Sequence, residues 1–90
     1  MKPTYKFKSR EPFFTKEKLG IKNNTVREID LNEEKFLELI QHMMAGFNDG
    51  DIAVEIMNPH TIGSFVRNIT DISIYNNLMI ITWEHQEKSK

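Results

Sequence analysis

Nine consecutive residues, Gly20-Ile21-Lys22-Asn23-Asn24-Thr25-Val26-Arg27-Glu28, gather a glycine, two cations, two amides, a hydroxyl and a carboxylate. Lys22 and Arg27 offer positive charge to a phosphate, and Asn23 and Asn24 offer donors and acceptors to base edges. Backbone N–H groups beside Gly20 offer a cradle for an anion. Only Ile21 and Val26 suit a core, so the segment reads as a polar loop feeding a strand. The plainer reading is that Arg27 and Glu28 pair with neighbours while the asparagines make turns. His42, His60 and His85 are far apart and cysteine is absent, so neither a metal nor a cofactor is expected. His42 reads as a helix-surface residue and His60 as part of a turn.

The elements that must position this loop follow from periodicity. Between Thr4 and Ser9, Tyr5 and Phe7 alternate with Lys6 and Lys8, the pattern of a half-buried strand whose outer lysines suit a sheet edge. Pro12 breaks the run. Phe13 to Leu19 can form a short helix or turn with Phe13, Phe14 and Leu19 inward, stopped by Gly20 in a left-handed conformation. Thr25 to Asp30 favours a strand carrying Arg27 outward. A longer helix follows, with Asp30 or Asn32 as its cap, Glu33 completing a capping box, or Leu31 and Phe36 stapling around Asn32. Phe36, Leu39, Ile40, Met43, Met44 and Phe47 make its apolar stripe, opposite Glu34, Lys35, Glu38 and Gln41.

Gly50-Asp51 turns the chain into a strand from Ile52 to Met57. Asn58-Pro59-His60-Thr61 with Gly63 links it to a partner strand, Ser64 to Ile72, with a bulge expected near Arg67 to Asn68. After a turn at Asn76-Asn77, Leu78 to Trp83 is apolar on both faces, as a central or barrel-closing strand would be. The fold class expected is therefore α+β: a small, curled, mostly antiparallel sheet or β-barrel, with one long and one short helix. Residues 1–84 form a single domain, and the charged stretch 85–90 is expected to be disordered.

Ninety residues allow one domain, and the 39% hydrophobic and 28% charged composition is that of a globular chain. No apolar run approaches the ~20 residues that span a bilayer, and no charged-then-apolar leader pattern opens the sequence. A cytoplasmic location without membrane contact is the expectation. The net charge is −1, yet the signs are segregated. Lys2, Lys6, Lys8, Arg10, Lys16, Lys18, Lys22 and Arg27 precede residue 28, opposed there by Glu11 and Glu17. A local cationic face can meet a phosphate backbone, although lysines on an edge strand also block unwanted pairing.

The element order, together with Gly20, Lys22, Thr25 and Arg27, resembles the ASCH domain of the PUA-like β-barrel superfamily, whose loop has the form G-x-K-x-x-[ET]-x-R. Gly50-Asp51 leading into Ile52 to Met57, then Val66 to Ile74 and Leu78 to Trp83, extend the likeness over most of the chain. It also resembles a subgroup of small ASCH-like proteins common in phage genomes, for which the location would be the host cytoplasm. The resemblance implies a barrel with a cleft beside the Gly20 to Arg27 loop, suited to RNA or a nucleoside-sized ligand. Two features depart from the family pattern. A long helix stands between Arg27 and Gly50 where many relatives have a short loop, and Thr25 stands where binding members often carry glutamate.

Three functions follow from this reading. The leading one is a module that binds RNA, a nucleotide or a modified nucleoside through Gly20, Lys22, Asn23, Asn24, Thr25 and Arg27. Tyr5, Phe13 or Trp83, if exposed, would stack a base for ~1–3 kcal/mol each. The second is an amidohydrolase, since some ASCH proteins act on acetylated cytidine and share the G-x-K-x-x-T-x-R loop. Lys22 would then take the Thr25 proton so that the hydroxyl attacks an amide carbonyl. A relaying carboxylate is also needed, for which Glu55, Asp71 and Glu84 are the candidates. The third, carried by the phage-type resemblance, is a small protein that binds and inhibits a host protein through an exposed apolar patch.

Overall fold

Strict alternation at the start of the sequence produces β1 (Thr4–Lys8), with Tyr5 and Phe7 buried and the lysines outward. The computed structural model describes residues 2–61 and 63–84, so the expected tail at 85–90 lies outside the described residues. After β1 come α1 (Phe13–Lys18), β2 (Asn24–Glu28), α2 (Glu34–Ala45), β3 (Ala53–Met57), β4 (Ser64–Tyr75) and β5 (Leu78–Trp83). The five strands form one mixed sheet in the order β1-β3-β4-β5-β2. β1 runs parallel to β3, which requires a crossover, and α1, β2 and α2 all lie within it. The other neighbours are antiparallel.

β4 joins the two halves of the sheet. Ser64 to Asn68 pair with β3, and Ile69 to Tyr75 pair with β5. The register slips between Ile69 and Asp71, two residues beyond the expected Arg67 to Asn68. Arg67 and Asn68 remain in register with Val54 and Ala53, so the irregularity falls where the strand changes partner. A slip of one residue bends a strand and increases its twist, which helps the sheet curl.

In the core Leu39, Val54, Ile56, Ile69, Met79 and Ile81 are fully buried. α1 is held by Phe14, whose ring centre lies 5.5 Å from that of Phe65, which in turn meets Trp83 edge-on at 6.2 Å. Gly63 lies against the Phe14 ring, and a Cβ there would come to 3.3 Å from it. Phe13 and Leu19, expected inward, are exposed instead. A helix this short presents one narrow face to the sheet, and Phe14 and Glu17, three residues apart, occupy it.

α2 buries Phe36 and Leu39 and packs Ile40 and Met43 against the core, whereas Met44 falls outside the stripe and is 78% exposed; Phe47, expected in the same stripe, packs on the core from beyond the helix end. Its N-cap is Glu33, with no side-chain capping bond. The expected cap at Asp30 or Asn32 does not form because Asp30 is used earlier: its Oδ1 accepts from the Asn32 N–H at 3.0 Å and its carbonyl from the Glu33 N–H. Gly46, at φ +85°, ends the helix. Among the described residues, no helix is long and apolar enough to cross a membrane.

A polar contact ties α2 to β1. The Tyr5 hydroxyl donates to Glu38 Oε1 at 3.1 Å and lies 3.0 Å from His42 Nε2. Burial, followed by the hydrogen bond to Glu38 and that residue's charge, pushes the Tyr5 phenol up to about 12 from its ordinary 10.0. A raised phenol contributes stability fully below its unfolded value and loses it as pH rises through the folded value. Comparison with Tyr5→Phe should show the wild type losing its extra stability between about pH 10 and pH 12. Phenolate absorbance should place the Tyr5 ionisation in the same window, and ionisation of Tyr5 at its ordinary value would contradict the Glu38 contact.

Candidate functional site

The helix that buries Phe14 must also bury Glu17, which is left 1% exposed. A carboxylate in that position requires a cation. The chain supplies one by doubling back: Gly20 takes φ +81°, its N–H donates to the Glu17 carbonyl, and the N–H groups of Ile21 and Lys22 both donate to the Lys16 carbonyl. This turn brings Lys22 Nζ to 3.0 Å from Glu17 Oε2, while the same ammonium donates to the Asn24 carbonyl. The backbone amides expected to form an anion cradle are therefore occupied at the end of α1, where the helix dipole is also of the wrong sign for an anion.

β2 follows directly and inverts the usual polarity of a strand. Thr25 and Arg27 are in register with Ile81 and Met79, so they occupy the inner face, with Thr25 2% exposed. Val26 faces outward and is 49% exposed, the reverse of the expectation that Arg27 would point out. Arg27 finds partners on the inside. Its Nε donates to Thr25 Oγ1 at 2.9 Å, and its guanidinium lies 5.3 Å from the centre of the Phe7 ring on β1. Burial lowers the Arg27 guanidinium from its ordinary value, and the charge of Glu17 opposes that shift.

β1 and β2 are the two ends of the sheet, and the curl leaves a hollow of about 520 Å³ between them. The loop and β2 contribute Lys22, Thr25, Val26 and Arg27 to its wall; α1 contributes Phe13 and Glu17. Lys8, Ser9 and Arg10, at the end of β1, complete it. Four cations thus face one carboxylate. Glu17 Oε1 and Trp83 Nε1 are buried polar atoms without a hydrogen-bond partner among the described residues.

Of the loop residues singled out from the sequence, Lys22, Thr25 and Arg27 are brought together, whereas Gly20, Asn23 and Asn24 are not part of the wall. Asn23 Nδ2 donates to the Gly20 carbonyl at 3.2 Å, and Asn24 pairs with Thr82 at the start of β2. Glu28 accepts from Asn77 Nδ2. Glu55, Asp71 and Glu84 also lie outside the hollow, and Glu84 Oε2 accepts from the Asn68 N–H at 2.9 Å. The carboxylate present is Glu17, legible in retrospect from its place three residues after Phe14 on one helix face. Of the aromatics considered for stacking, Tyr5 and Trp83 are buried; Phe13 is exposed on the wall of the hollow.

Among the described residues, no group of three or more His, Cys, Asp and Glu side chains could hold a metal. The chain matches no protein-family model and no curated protein sequence.

Replacing Lys22 by methionine strips Glu17 of its direct partner and should lower stability by about 3 kcal/mol, the lower end for a broken buried pair because Lys22 is 30% exposed. Glu17→Gln should cost less, since the freed ammonium can turn to solvent. Urea unfolding of both single variants and the double variant measures the coupling. Strict additivity would show that the two side chains do not stabilise each other.

Proposed function

We propose that the hollow between β1 and β2 binds a nucleotide-like ligand, and that the curled sheet is an open PUA-like barrel of the ASCH type. The observation that carries this reading is the cationic hollow built on the polar inner face of β2. Its volume lies within the ~300–1,000 Å³ of small-molecule sites and its walls combine charge with an exposed aromatic ring. Lys22 and Arg27 are held by Glu17 and Thr25, so their positions are set before any ligand arrives. Lys8 and Arg10 are exposed and meet the phosphate, while Phe13 stacks the base.

The test is equilibrium binding of a fluorescent adenosine monophosphate and of a random-sequence RNA pool at low salt. Lys8→Glu and Arg10→Glu should each weaken binding about fivefold or more, and raising salt from roughly 50 to roughly 200 mM should weaken it further. No binding of either probe at low salt, or binding indifferent to both substitutions, removes the reading.

The convergence of an amine, a hydroxyl and a carboxylate on one hollow favours amidohydrolysis as a second reading. In it the Thr25 hydroxyl attacks the acetyl carbonyl of acetylated cytidine, Lys22 carries the proton to the departing amine, and water releases acetate. No hydrogen bond joins Lys22 to Thr25 in this structure, so a side-chain shift must precede the attack. Chromatography of the wild type incubated with acetylated cytidine should then show cytidine, and Thr25→Val should abolish it. Absence of turnover by the wild type leaves binding alone.

A further inference from the structure

We propose that the site continues into a second hollow and takes a single-stranded nucleic acid of at least two nucleotides, its backbone following Lys6, Lys8 and Arg10. This rests on the nucleotide reading of the first hollow. The second hollow, of about 720 Å³, lies between β1 and the segment leading into α2. It shares Lys8 and Arg27 with the first, so the two adjoin along β1.

Lys6 belongs to the second hollow, Lys8 to both and Arg10 to the first. Lys6 and Lys8 are alternate outward positions of β1, spaced by roughly 6.6 Å along the chain, and Arg10 follows two residues beyond the end of the strand. That spacing is of the order of one nucleotide of extended backbone. None of the three side chains makes an ion pair or a hydrogen bond to any other described residue. Neighbouring cations are already committed: Lys22 to Glu17, and Lys35 to the Lys6 carbonyl at 2.8 Å, to Glu33 at 3.4 Å and to the Phe7 ring at 4.3 Å. Lys22 and Lys35 are thus paired with carboxylates, whereas Lys6, Lys8 and Arg10 are not.

The second hollow is mixed in charge, Glu28, Asp30 and Glu33 standing in its wall with Lys6, Lys8, Arg27 and Lys35. Carboxylate oxygens there can accept from ring or exocyclic N–H groups of a base, while the cations of β1 meet its phosphate. Phe7 and Phe36 supply apolar wall beside them. Phosphates along Lys6, Lys8 and Arg10 with one base in each hollow fit this arrangement. An edge strand that merely blocks aggregation needs lysines too, yet it requires no adjoining hollows and gives no dependence on oligonucleotide length.

The experiment uses the full chain and fluorescence anisotropy with a labelled random-sequence hexaribonucleotide, competed by mixed nucleoside monophosphates. The hexamer should bind about tenfold tighter or more than the monophosphates. Lys6→Glu should weaken the hexamer about fivefold while leaving the monophosphates within about twofold, and should flatten the hexamer's salt slope by about 0.7 for each phosphate that is no longer neutralised. Lys6→Gln, with an unchanged urea midpoint, guards against a folding artefact and should weaken the hexamer in the same sense. Monophosphates bound as tightly as the hexamer, or equal effects of Lys6→Glu on both probes, would overturn the extension alone. Binding of neither probe overturns the nucleotide reading, and the extension with it.

Discussion

A carboxylate removed from water needs a cation within reach, and in this chain that need falls on Glu17. The face of α1 that anchors Phe14 against Phe65 carries Glu17 inward one turn later, so packing and charge are not independent choices. Lys22 answers the charge only because Gly20 reverses the chain at a positive φ, where a β-carbon would be strained. Once Lys22 is fixed, β2 starts two residues later and its inner face is determined. The ion pair is thus what converts a short helix and a turn into a wall with defined chemistry. Its stabilising effect is modest, since much of the attraction is offset by the cost of dehydrating both groups, but it leaves little freedom in the placement of Thr25 and Arg27.

The curl of the sheet makes the second contribution. Arg27 on one end strand lies over Phe7 on the other, so a guanidinium and a ring connect two edges. Apolar side chains at this seam would have extended the core across it. A threonine and an arginine keep it open, and the resulting hollow has polar groups next to fully buried Ile81 and Met79. Departures of this kind, where a residue breaks the local burial pattern and finds specific partners, are expected at functional sites.

Much of this was legible in the sequence. Alternation placed β1 and β3, a run apolar on both faces placed β5, and helical spacing placed α2. Lys22, Thr25 and Arg27, singled out in the polar loop, line one hollow. Orientation was harder to read. In β2 the apolar Val26 is outside and the charged Arg27 inside, so a rule that assigns faces by hydrophobicity inverts the strand. The carboxylate was missed for a related reason: Glu17 sits among Lys16 and Lys18 and reads as one more solvated charge unless its distance from Phe14 is weighed. Capping at Asp30 failed because an aspartate can close a local turn before the helix as readily as it can cap one.

The apolar residues that remain on the surface complete the argument about where function lies. Phe13 and Val26 are each about half exposed although the core could have used their area, and both border the first hollow. Scattered exposed apolar residues are common and require no explanation singly. Both line a hollow whose other residues are charged or polar, the combination of a few polar groups with apolar surface that characterises small-ligand sites. Phe13 is the clearer of the two cases. It adjoins Phe14 in sequence, and the same helix buries one ring in the core and presents the other to the hollow. On the binding reading proposed above, the second ring gives this six-residue helix a role beyond its own anchoring.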